Sequence, residues 1–175
     1  MSTFKFYPAI GVALIVTILA SFVACKDNST SVENKPTKET EKEAVGKVLG
    51  IMAEGFAKRD AEMASSIYSS EAQWLNAFGD WREGQEAIQE KLKKLFSSSE
   101  FNSGEMVGEP TGKVRILKPD VAVAWTYQEI KGQKYPNGDE VPLRKNHSLL
   151  LLLKKDSEWI VEAQIFMDEN YNPNK

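Results

Sequence analysis

The chain has one cysteine, Cys25, and one histidine, His147. A single cysteine excludes an intrachain disulfide and any cysteine-based metal cluster. A folded domain in this chain must therefore be held by its own core. A single histidine excludes a metal site built from two or three imidazoles, and no motif implies a cofactor. Acidic and basic residues nearly balance, 25 against 22. No block of Lys or Arg stands out after Cys25, which argues against nucleic acid as a partner. The chain also lacks internal repeats.

What is present begins with a targeting pattern over residues 1–24. Lys5 is the only charge before an apolar run from Ala9 to Val23, and Ala20, Ser21 and Ala24 are small. This is the basic, apolar, small-residue order of a secretory signal. Phe22-Val23-Ala24-Cys25 resembles the lipobox of bacterial lipoproteins, although that pattern prefers Leu at the Phe22 position. The resemblance implies acylation of the Cys25 thiol and a membrane partner through the lipid. Each buried methylene contributes ~0.8 kcal/mol, so several chains anchor stably. Lys26, rather than Asp, follows the cysteine. In a host with two membranes this implies the periplasmic face of the outer membrane. The alternative is an uncleaved membrane helix, since Tyr7 to Ala24 is about the minimum spanning length. Residues 25–38 have no apolar face and read as a flexible tether.

Residues 39–170 read as one domain, with 171–175 a polar tail. Thr40 and Glu43 have capping-box spacing. Val45, Val48, Leu49, Met52, Ala53 and Phe56 then form one helical stripe. Gly46, Gly50 and Gly55 weaken this helix, or let another element approach it. Asp60 is the N-cap of a short second helix whose buried side is Ala64, Ile67 and Tyr68. A third helix runs from about Gln85 to Phe96, with Ile88, Leu92, Leu95 and Phe96 on one face. After Glu105 the period becomes strand-like. Strands are expected over Met106 to Leu117, Val121 to Ile130, Arg144 to Lys154 and Glu158 to Met167. A bend is expected at Glu109-Pro110, and turns at Asn137-Gly138 and Lys155-Asp156-Ser157.

Between helices two and three lies the aromatic stretch Trp74 to Gly84. Its alternation suggests a short strand with Trp74, Asn76 and Phe78 on one face, followed by a turn at Gly79-Asp80. An aromatic wall with one amide suits a small-molecule pocket. The order of elements fits an α+β cone, a bent antiparallel sheet packed on three N-terminal helices. It resembles the nuclear transport factor two-like superfamily with its cystatin-like, SnoaL-like roll. Asp60, Trp74, Asn76, Phe78-Gly79, Trp81, Gly84 and Ile88 resemble the SgcJ/EcaC-type branch. Asp156 to Val161, with Trp159 and then Gln164, resembles that branch's closing segment. The resemblance spans roughly Glu41 to Met167 and specifies a fold more than a reaction.

Two functions follow as expectations. One is a lipid-anchored envelope domain whose cone binds a small apolar ligand or a partner, with Trp74, Asn76, Trp81, Tyr127, His147 and Gln164 as ligand-binding candidates. The alternative is an isomerase, cyclase or dehydratase using proton transfer, with His147 or Asp80 as carrier. Each candidate has a plainer reading. His147 suits a hydrogen-bonded sheet position, Asn76 a turn amide, Trp81 packing under helix three, and Asp80 a solvated turn. Leu149 to Leu153 put apolar groups on both faces of one strand. A second subunit is the simplest cover for the outer face, so a homodimer through the sheet is expected.

Overall fold

The computed structural model describes residues 36–135 and 137–169, all within one compact unit. The signal segment, Cys25, most of the tether and the tail lie outside the described residues. Helix α1 (Lys38–Lys58) starts one turn before the expected capping box. Thr37 is its N-cap, and its hydroxyl accepts from Thr40 N at 3.2 Å. Thr40 therefore sits in the first turn as the donor. Arg59 ends the helix in the left-handed region, its N–H reaching Gly55 O and Phe56 O. Asp60 then caps α2 (Ala61–Ser65) by accepting from Met63 N at 2.9 Å.

The next element departs from the expectation. Strand β1 (Tyr68–Leu75) begins at Tyr68, which was expected on helix two. Pairing with β6 extends the strand back to Tyr68, opposite Val161. The chain turns immediately after Leu75, so Trp74, Asn76 and Phe78 do not share a strand face. Asn76 Oδ1 accepts from Phe78 N and Asp80 N, both at 2.9 Å, and so organises the turn. Strand β2 (Trp81–Glu83) returns along β1. Helix α3 (Gln85–Ser97), the single turn α4 (Ser99–Asn102) and strands β3 (Glu105–Lys118), β4 (Val121–Lys131), β5 (Arg144–Lys155) and β6 (Glu158–Asp168) follow.

The sheet has six strands in the order β2-β1-β6-β5-β4-β3. It is antiparallel except between β1 and β6, which run parallel. The expectation of a wholly antiparallel sheet fails at that pair, because the chain enters β1 from a helix rather than from a hairpin with β6. The β3–β4 register shifts between Val107 and Thr111, where the bend at Glu109-Pro110 was expected. Such an irregularity curves a strand.

Strand alternation sorts the side chains into two faces. Ala122, Ala124, Ser148, Leu150, Leu152, Val161 and Gln164 are buried on the inner face with Trp74. Val45 and Met52 of α1 and Ile88, Leu92 and Phe96 of α3 complete the core. Burying each large apolar side chain contributes about 1.5–3 kcal/mol. Of the five leucines, Leu150 and Leu152 lie in this core while Leu149 and Leu151 face outward. Gly55 lets α2 touch α1, because a Cβ there would sit 2.5 Å from Ala64 N. Glu41 ties α1 to the sheet, accepting from Lys154 Nζ at 2.5 Å and Trp159 Nε1 at 2.7 Å.

Candidate functional site

Between α1 and the inner face of the sheet is a cavity of about 450 Å³. Its roof is the α1 face of Gly46, Leu49, Gly50, Ala53 and Phe56. Its walls come from Trp74 on β1, Phe166 on β6, Ser148 on β5 and Thr126, Gln128 and Ile130 on β4. Phe78, Phe101 and Met106 border it from the turn, from α4 and from β3. Trp74 and Phe166 meet edge to face at 5.5 Å. Two glycines of α1 border open space here. A Cβ at Gly46 or Gly50 would meet nothing within 4 Å.

Two polar groups interrupt the apolar lining. The first is centred on Arg144 at the start of β5. Its Nε donates to Asp168 Oδ2 at 2.6 Å, and its terminal nitrogens reach Gln133 Oε1 at 2.8 Å and Asn146 Oδ1 at 3.2 Å. Its guanidinium lies 5.0 Å from the Phe78 ring centre. The second group runs from the core to the wall through Tyr68, Gln164, Ser148 and Thr126. Burial pushes the Tyr68 hydroxyl well above its ordinary pKa, against the opposing effect of the Trp74 indole, so it stays a neutral donor. Gln128 Oε1 is buried on this wall without a hydrogen bond, and the Trp74 indole lies against the Tyr68 hydroxyl.

Of the residues singled out from sequence, Trp74, Asn76, Tyr127 and His147 border the cavity, while Trp81, Gln164 and Asp80 do not. Gln164 is fully buried behind the wall. Trp81 is 49% exposed on the edge strand β2, outside the cavity lining. Asp80 lies between Arg82 Nη1, at 2.6 Å, and Lys91. His147 and Tyr127 border the cavity from strand positions whose alternation turns their rings outward. His147 is paired with Tyr127 and Met167, whereas its neighbour Ser148 is paired with the inner Thr126 and Phe166. The His147 and Tyr127 rings lie 4.8 Å apart. His147 Nε2 meets Glu169 Oε1 at 2.6 Å. Tyr127 donates to Glu129, which with lesser help from burial pushes its hydroxyl up to about 12. Sequence reasoning missed Arg144, Asp168, Ser148 and Thr126. Only their even spacing with Leu150 and Leu152, with Ala122 and Ala124, or with Gln164 and Phe166 marks the inner face. Among the described residues, no three His, Cys, Asp or Glu side chains gather where they could hold a metal ion.

No family model matches the chain, and no curated protein matches it in sequence. Solved structures do match it in shape. A Caulobacter vibrioides protein of uncharacterised function with a cystatin-like fold superposes with a TM-score of 0.64 at 18% identity. That match covers 76% of this chain and 91% of the other. A Novosphingobium aromaticivorans protein provisionally named a scytalone dehydratase gives 0.60 at 12% identity, over 77% and 89%. A Streptomyces avermitilis protein, provisionally a dehydratase of the NTF2-like family, gives 0.60 at 14% identity, over 75% and 98%. At these identities the likeness establishes architecture alone. The chain has the cystatin-like, NTF2-like fold, an α+β domain whose mixed sheet is not closed into a barrel.

Proposed function

We propose that this chain is a lipid-anchored envelope domain whose cavity binds a small, largely apolar molecule. The observation that carries this reading is the pair Gly46 and Gly50. Glycine inside a helix costs up to ~1 kcal/mol relative to alanine. At both positions a side chain would fit without a clash. The helix gives up stability there, and what it leaves is open space over an aromatic wall. Native mass spectrometry of the purified protein tests the reading. The wild type is expected to retain a small-molecule adduct that Gly50→Phe, which fills the cavity, does not. Equal adducts on both proteins would remove the cavity from the explanation.

The alternative is proton-transfer chemistry of the isomerase, cyclase or dehydratase kind, favoured by the two provisionally named dehydratases of this fold. Binding stands ahead of it because Asp80 lies outside the cavity lining, paired with Arg82 and Lys91, and His147 Nε2 is engaged by Glu169. Unchanged turnover in His147→Ala would end the catalytic role of that residue.

The remaining parts of the reading rest on sequence. Membership of the SgcJ/EcaC-type branch is supported by Trp74, Asn76, Phe78-Gly79, Trp81 and Gly84. Acylation of Cys25 is supported by the order of residues before it, and an unmodified Cys25 in the mass of the mature N-terminus would exclude it. Self-association is supported by the outer sheet face. Trp81, Leu75, Ile165, Leu149 and Trp125 stand side by side across five strands. Lys113, Lys145, Glu129 and Glu169 bring both charge signs to the same face, which suits a second copy related by a two-fold axis.

A further inference from the structure

The line of polar side chains behind the cavity wall has a fixed sense. Tyr68 Oη donates to Gln164 Oε1. Gln164 Nε2 donates to Ser148 Oγ at 3.0 Å and lies 3.6 Å from Met52 Sδ. Ser148 Oγ and Thr126 Oγ1 are 2.7 Å apart. Gln164, Tyr68 and Ser148 are 0%, 1% and 3% exposed, so bulk water does not complete their hydrogen bonds.

A phenol has one hydrogen to donate and can also accept, and a carboxamide has one oxygen and one NH2; here the Tyr68 hydrogen goes to Gln164 Oε1. With its oxygen facing Tyr68, Gln164 presents its NH2 to Ser148. Ser148 therefore accepts from Gln164 and must place its own hydrogen elsewhere. The oxygen at hand is Thr126 Oγ1. In the reverse sense, Ser148 would accept from both neighbours and leave its own hydrogen unpaired. An unmade buried hydrogen bond costs about 1–3 kcal/mol. The forward sense wins. Thr126 accepts from Ser148, and the Thr126 hydrogen is left for the cavity it lines.

The geometry points to a ligand that carries a hydrogen-bond-accepting oxygen, a carbonyl above all, docked on the Thr126 hydroxyl. This rests on the cavity being a ligand site and adds the chemistry that site selects. Gln164 is then a positioning residue. It touches no ligand, but its amide decides which way the hydroxyls behind the wall point. Two probes of nearly equal shape test the idea on the full chain: 2-acetylnaphthalene, and 2-isopropylnaphthalene, which lacks the oxygen. Calorimetric titration is expected to find the ketone bound about tenfold more tightly, the scale of one net hydrogen bond. Thr126→Val should abolish that preference and leave hydrocarbon affinity within about twofold. Thr126→Ser, which keeps the hydroxyl, should retain the preference. Equal binding of both probes by the wild type would overturn the inference while the cavity remains a ligand site. A ketone preference that survives in Thr126→Val would overturn it too. If neither probe binds, both readings fall together.

Discussion

Glu41 makes a charge-dependent contact between helix and sheet. Its carboxylate is buried and accepts from Lys154 and Trp159. The hydrogen bond from Lys154 lowers its pKa from the ordinary 4.5, against the opposing effect of burial. A carboxyl with a lowered folded-state pKa stabilises the fold above its unfolded value. That contribution is lost as pH falls through the folded one. Glu41→Gln is therefore expected to lower stability by roughly 1–2 kcal/mol at neutral pH. The gap to wild type should narrow progressively below pH 4.5. Urea unfolding across that range reads both effects, and a gap independent of pH would show that the charge is irrelevant. Arg144 poses a sharper case. Its side chain and that of Asp168 are 13% and 3% exposed. Removing one partner of a buried pair costs about 3–5 kcal/mol. Arg144→Met should lose stability on that scale in thermal unfolding, and adding Asp168→Leu should recover part of it.

Helix α1 contains its own control experiment. Gly50 faces open space, whereas a Cβ at Gly55 would strike the Ala64 backbone. Gly50→Ala should stabilise by up to ~1 kcal/mol from helix propensity. Gly55→Ala should destabilise by about 1–3 kcal/mol from overpacking. Effects of the same sign would refute the assignment of one glycine to the cavity and the other to helix contact. The β5–β6 hairpin offers a second element-level test. Asp156 and Ser157 hold φ of 49° and 71°, a conformation that suits glycine. Ser157→Gly should raise the midpoint of chemical unfolding, with a gain of about 0.5–1 kcal/mol.

At the scale of the whole molecule the two sheet faces have different tasks. The inner face packs on α1 and α3 and frames the cavity. The outer face exposes Trp125, Leu149, Ile165 and Met167. Leu149→Glu puts a charge at the centre of that face without touching the core. Sedimentation of the purified protein is expected to show a dimer that this substitution turns into a monomer. A monomeric wild type would end the proposal.

The last four strands were legible in the sequence almost to the residue, because β-branched and apolar runs were separated by clear turn residues. Helices α1 and α3 were legible for the same kind of reason, an apolar stripe at helical spacing. Tyr68 was not. A buried tyrosine next to a short helix satisfies either period, and only its pairing with Val161 makes it a strand residue. Trp74 and Asn76 were singled out by composition and both border the cavity, but Asn76 spends its oxygen on the turn. His147 drew notice by being unique, and uniqueness says nothing about which face a residue occupies. Local pattern thus determined the elements, their order and the fold class. Direction did not follow from it. One register choice between β4, β5 and β6 sends His147 and Tyr127 outward and Ser148, Thr126 and Arg144 inward. That choice is made by pairing between strands and by which face packs on α1 and α3, not by the pattern within any one strand, so the polar chemistry of the cavity belongs to the tertiary structure.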